Sequence, residues 1–120
     1  MRTAASAPRV LIVDDLDDMR MALRLLLEAE GVDVVGEAEN GERGIEVARL
    51  LQPDVVVLDG LMPVMNGEDA AQILRLVAPG ARIVAFSASL ETQPRWADAF
   101  VPKDRLTDLF SAIEEIVAAA

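Results

Sequence analysis

Two periods of apolar residues alternate along the chain. Short apolar runs occur at Val10–Val13, Val32–Val35, Val55–Leu58, Ile83–Phe86 and Ala99–Val101. They are rich in Val and Ile and mostly continuous, the pattern of strands buried on both faces of a parallel sheet. Between them the spacing turns helical. Met19, Leu23, Leu26 and Leu27 share a face behind Asp17, a candidate cap. Ile45, Ala48 and Leu51 follow Asn40, and Ala70, Ile73, Leu74 and Val77 follow Asn66, each Asn a candidate cap. The last helix is the cleanest, with Leu106, Leu109, Phe110, Ile113, Ile116 and Val117 on one stripe and Asp104 as its expected cap. Gly31 suits the end of the first helix, and Pro79-Gly80 stops the third.

The order is therefore β-α-β-α-β-α-β-link-β-α. Parallel strands joined by right-handed crossovers make an α/β fold, a three-layer α/β/α sandwich around a five-stranded parallel sheet. One crossover breaks the rhythm. Only twelve residues separate Phe86 from Ala99, and Pro94 lies among them. A crossover helix needs roughly 11–12 residues before its loops are counted, and Pro interrupts a helix interior. The fourth helix is expected to be very short or absent.

Composition narrows the chemistry. The chain has 120 residues, 21 acids against 11 bases, and a net charge of −10. That length suits one domain, expected over residues 9–120 behind a flexible N-terminus at 1–8. The acidic balance argues against direct nucleic-acid binding, which requires clustered Lys and Arg. Neither His nor Cys occurs, which excludes most zinc sites, thiol redox chemistry and Ser-His or Cys-His catalysis. Any metal must be a hard cation held by oxygen. No apolar stretch approaches a membrane span, and the N-terminus does not read as a signal peptide, so a cytoplasmic location is expected.

In open α/β sheets, ligands bind beyond the carboxyl ends of the strands. Asp14 and Asp15 follow the first run, Asp59 the third and Ser87 the fourth, and Lys103 lies just past the fifth. Three carboxylates gathered there repel one another, and a divalent cation relieves that repulsion. Mg²⁺ suits such a set, because it takes one or two carboxylates, keeps waters and shares a phosphate oxygen. A hydroxyl and an ammonium can bind the other phosphoryl oxygens. The set fits phosphoryl transfer.

Asp14-Asp15, the stretch Val55-Val56-Val57-Leu58-Asp59-Gly60-Leu61-Met62-Pro63 with Gly67 behind it, Phe86-Ser87-Ala88 and Lys103 together resemble the receiver domain of bacterial two-component response regulators. The resemblance covers nearly the whole chain. Val35-Gly36-Glu37-Ala38-Glu39-Asn40-Gly41 is most similar to receivers that precede a helix-turn-helix output domain. The resemblance implies the flavodoxin-like strand order 2-1-3-4-5. It implies that Asp59 is the phosphoacceptor, taking a phosphoryl group from a sensor histidine kinase or phosphotransfer protein. Asp15, Asp59 and the Leu61 backbone carbonyl would ligate Mg²⁺, with Asp14 acting through ordered water. Ser87 and Lys103 would hold phosphoryl oxygens, and Ser87 with Phe100 would form the switch toward a downstream protein target. A homodimer is among the partners the family allows. Such a domain is not an enzyme beyond its own phosphorylation and dephosphorylation.

Each residue also has a plainer reading. An acidic pair can be a cap, Ser89 can stand in for Ser87, a lysine can be a surface charge, and Phe100 can be core. The shared register favours the site for all but Phe100. Lys103 is the sole lysine among ten arginines. Three features depart from the family. Asp104 follows Lys103 where Pro is usual, and as a carboxylate it is placed to compete for the ammonium. The missing fourth helix removes part of a common signalling face, so output is expected near the first and last helices. Apolar Leu61 cannot orient an attacking water, so slow phosphate loss is expected. The rival reading is a pseudo-receiver, an interaction module independent of phosphorylation.

Overall fold

The computed structural model describes residues 7–119. The flexible segment expected over 1–8 therefore lies largely outside the described residues. Five strands form one parallel sheet: β1 (Arg9–Val13), β2 (Asp33–Ala38), β3 (Val55–Leu58), β4 (Arg82–Ser87) and β5 (Ala99–Pro102). Their order is β2-β1-β3-β4-β5. The helices are α1 (Asp17–Ala29), α2 (Gly41–Leu51), α3 (Gly67–Val77) and α4 (Leu109–Ala118). A 3₁₀ segment over Lys103–Asp108 leads into α4.

The period-two alternation of a strand divides each run between two cores. Leu11, Val13, Val56, Leu58, Ile83 and Ala85 face α2 and α3 and pack on Ala48, Ala70, Ala71 and Leu74. Val10, Ile12, Val55, Val57, Val84 and Phe86 face α1 and α4 and pack on Leu23, Leu27, Leu109, Ile113 and Ile116. Both faces are covered, so behind the arginines that open β1 and β4 the inner strands β1, β3 and β4 carry only apolar residues until they emerge at their carboxyl ends. That is where the candidate site lies.

Between Ser87 and Ala99 the described chain contains no helix. The link is held in place by individual contacts instead. Ala97 is buried in the α2–α3 core, with Leu90 and Trp96 packed against that core. Asp98 accepts from the Ile83 N–H at 2.8 Å and from Arg75 Nη1 of α3 at 2.9 Å. Arg75 Nη2 also donates to the Trp96 carbonyl at 3.2 Å.

Asn40 and Asn66 cap as expected, accepting from the N–H groups of Arg43 at 2.8 Å and Asp69 at 2.9 Å. Gly31 has φ +87°, the left-handed turn that suits glycine beyond the α1 end. Two expected caps are corrected. Asp17 is the first residue of α1, not its cap. Extended Leu16 occupies the cap position, and the Asp14 carboxylate takes the Leu16 N–H at 2.9 Å. Asp17 instead pairs with Arg20. Asp104 lies inside the 3₁₀ segment, and the α-helix starts only at Leu109. Arg105 breaks helical geometry there, with φ −118° and ψ 46°. The chain must leave β5 with Lys103 reaching back across the sheet, and a continuous helix from Asp104 does not make that turn. Leu51 and Ile73 are also more exposed than their helical faces suggest, because Gly44, Ala48, Ala70 and Ala71 allow the close approach to the sheet.

Candidate functional site

β1, β3, β4 and β5 end side by side, so their next residues converge. Asp14 directly follows β1, Asp59 follows β3, Ser87 ends β4 and Lys103 follows β5. Asp14, Asp59 and Ser87 are 1%, 4% and 0% exposed, while every other buried side chain among the described residues is apolar. One carboxylate oxygen from each of Asp14, Asp15 and Asp59 lies within 4.8 Å of the others. Lys103 Nζ is 2.8 Å from Asp14 Oδ2 and 3.2 Å from Asp59 Oδ2. Only the contact to Asp59 is directed as a hydrogen bond, so Asp14 Oδ2 is a buried oxygen that accepts none. Asp59 Oδ1 accepts from the Leu61 N–H at 3.2 Å. Ser87 Oγ lies 2.9 Å from Ser89 Oγ and accepts from the Ser89 N–H at 3.2 Å. Asp15, Asp59, Leu61, Ser87, Ser89 and Lys103 line a cleft of about 230 Å³.

Burial pushes the Asp59 carboxyl above its ordinary range. The Leu61 N–H and the Lys103 ammonium oppose that shift and Asp14 reinforces it, with burial prevailing. For Lys103, burial favours the neutral amine, but the ion pair with Asp14, the hydrogen bond donated to Asp59 and the charges of both carboxylates outweigh it. Its ammonium is held above the ordinary value. Lys103 has two carboxylates acting against burial, whereas at Asp59 the charge of Asp14 adds to burial.

The residue set fits a divalent cation. It offers three oxygen ligands within reach of one another, excess negative charge and a buried carboxylate oxygen lacking a hydrogen bond.

All the sequence-derived site residues converge except Phe100. That ring is half-buried on β5, opposite Ala85 of β4, and packs against the α2–α3 core. Asp104 does not compete for the lysine, as Lys103 pairs with Asp14 and Asp59 among the described residues. Pattern reading missed the support around the site. Gly67 was read only as part of the motif behind Asp59, and its packing role was not: a Cβ there would sit 2.8 Å from the Asp59 carbonyl and 2.9 Å from Trp96. Arg20 was missed outright. It donates to the Asp14 carbonyl at 2.5 Å, a contact signalled in sequence only by an Arg one turn into the helix after an acidic pair.

A parallel sheet in the order 2-1-3-4-5, with its polar cluster at the carboxyl edge, defines a doubly wound α/β domain of the flavodoxin-like class. Within that class, the model of the response regulator receiver domain matches residues 10–102, and the chain belongs to this family. It is 45% identical over 80 residues to the chemotaxis protein CheY of Thermotoga maritima, covering 67% of each chain. It is 38% identical over 117 residues to the nitrate/nitrite response regulator NarL of Escherichia coli, covering 91% of this chain and 54% of that one. The chain thus spans about half the length of NarL. A two-component response regulator of the LuxR family from Aurantimonas superposes with a TM-score of 0.86 at 30% identity, covering 95% of this chain and 87% of that one. Among the described residues, no helix is long and apolar enough to cross a membrane.

Proposed function

We propose that residues 9–120 act as one receiver unit that accepts a phosphoryl group on Asp59. The observation that carries this reading is the convergence of Asp14, Asp15, Asp59, Ser87 and Lys103 at one sheet edge in a member of the receiver family. The donor is a phosphohistidine on a sensor histidine kinase or phosphotransfer protein. An Asp59 oxygen attacks phosphorus, a P–O bond forms, and the P–N bond of the donor breaks. Asp59 borders the open cleft, so the attacking oxygen has a path to phosphorus. Lys103 pairs with a phosphoryl oxygen and Ser87 donates its hydroxyl to another, a positioning and charge-neutralising role suited to this chemistry. Mg²⁺ is the cation the donor set favours; Asp15, Asp59 and the Leu61 carbonyl would hold it, and Asp14 would act through water. When bound, it supplies positive charge to the phosphoryl oxygens.

The covalent phosphoryl group draws Ser87 toward it, and the Ser87–Ser89 hydrogen bond is exchanged for one to phosphate. Phe100 then moves inward, and the population shifts toward a surface read by a downstream protein. Direct nucleic-acid binding is not part of this role. The pseudo-receiver alternative draws on the altered residues after Lys103 and on the absent fourth crossover helix, and the second of these stands. The contacts of Lys103 with Asp14 and Asp59 favour the phosphorylated reading instead.

Acetyl phosphate with Mg²⁺ tests the reading by intact mass. A gain of one phosphoryl group, lost when EDTA is present from the start, is expected. An unchanged mass in a folded, Mg²⁺-supplied chain would leave the interaction module as the better account.

A further inference from the structure

The turn that presents Asp14 and Asp15 is fastened by one arginine that takes no part in the roles above. The Arg20 side chain is 14% exposed, and its guanidinium spans three pieces of chain. Nη1 donates to the Asp14 backbone carbonyl at 2.5 Å. Nη2 pairs with Asp17 in the first turn of α1. Nε lies 3.4 Å from Glu37 Oε1 on β2, and Arg24 Nε holds the other Glu37 oxygen at 2.6 Å.

The Asp14 carbonyl belongs to the peptide plane that leads into Asp15. Fixing that oxygen therefore fixes the direction in which Asp15 leaves the strand. Asp14 has further anchors: its N–H bonds the Ala38 carbonyl at 3.1 Å, and its carboxylate takes the Leu16 N–H. The Asp15 carboxylate has no hydrogen bond or ion pair among the described residues, so its placement depends on the backbone behind it.

We propose that Arg20 is a positioning residue for the cation site. It holds the Asp14–Asp15 peptide so that Asp15 stays within reach of Asp14 and Asp59. The inference rests on reading the three carboxylates as a Mg²⁺ site. Geometry and charge make opposite demands on this residue. A guanidinium beside the site repels a cation, so removing it would tighten Mg²⁺ binding if charge alone mattered. Loss of the peptide anchor would weaken it. Lysine retains the charge but cannot hold three directions with one ammonium.

The test is titration with MgCl₂ alone, followed by the amide shifts of Asp14, Asp15 and Asp59, for the parent, Arg20→Ala and Arg20→Lys. Changes to groups that orient metal ligands typically cost roughly tenfold or more in affinity. Both variants are expected to weaken Mg²⁺ by about that factor, with Lys failing to rescue. Arg9→Ala is the control for lost stability: Arg9 donates to the Leu51 and Gln52 carbonyls at the far end of α2, and its Mg²⁺ affinity is expected to equal the parent's. Arg20→Ala binding Mg²⁺ as tightly as the parent, or more tightly, would overturn the proposal. So would full rescue by Arg20→Lys, the variant that also decides the matter if the alanine form does not fold. A parent that binds no Mg²⁺ would remove the cation site itself, a failure distinguishable from either.

Discussion

Leu61 and Val64 lie on one loop beside the site but are governed by different physics. Leu61 uses its N–H on Asp59 and leaves its side chain exposed over the cleft. An apolar side chain there cannot orient a water for attack on a phosphoryl group. Leu61→Asn is expected to speed phosphate loss several-fold in a phospho-decay assay, and slower decay than the parent would contradict the role given to this position. Val64 is a β-branched residue at φ +73°, 80% exposed, and the Met65 N–H bonds the Pro63 carbonyl across it at 2.8 Å. That is the strained form of the γ-turn, and nothing buried compensates Val64 for adopting it. Val64→Gly is expected to stabilise the domain by about 1 kcal/mol, the left-handed strain exceeding the added chain entropy. Thermal unfolding checks it, and a lower midpoint would contradict it. The polar site residues were legible because buried strands end at them, and because a lone lysine stands out among arginines. Arg20 and the glycine-tight approach at Gly67 were not legible, since their partners are a carbonyl oxygen and a backbone surface, which leave no residue pattern.

At the scale of elements, the missing crossover helix is the most individual feature of the fold. Twelve residues and Pro94 made that absence readable. What replaces the helix was not readable, because Arg75, Trp96 and Asp98 join across sequence distance and follow no period. Asp98 ties the link to both α3 and β4. Burial acts to raise its pKa, but the Arg75 and Ile83 hydrogen bonds and the charges of Arg75 and Arg82 outweigh it and hold the carboxyl below its ordinary value. A depressed folded pKa stabilises the fold above the ordinary carboxylate range, and that stabilisation is lost as pH falls through the folded value. Asp98→Asn should therefore unfold more easily than the parent at neutral pH, with the gap narrowing in acid. The pair is partly exposed, so the effect will be modest. A gap that widens in acid would refute this assignment. The misplaced caps have a related cause. Asp17 and Asp104 each stand where a cap is common, but the side-chain demands of Asp14 and Lys103 shape those turns. Local propensity yields there to the site.

For the whole molecule, the sheet is both scaffold and alignment device. Apolar runs on two faces force polar residues to the strand ends, and the 2-1-3-4-5 order brings four of those ends together. The net charge of −10 gains a local meaning, because three of the 21 acids are drawn into one cluster facing the only lysine. The central claim is that Asp59 is the phosphoacceptor of this receiver. It is tested most directly by treating the parent and Asp59→Asn side by side with a phosphodonor and Mg²⁺ and measuring phosphoryl incorporation. The account predicts one acid-stable, base-labile acyl phosphate on the parent and none on Asp59→Asn. Phosphoryl incorporation into Asp59→Asn equal to the parent's would contradict it.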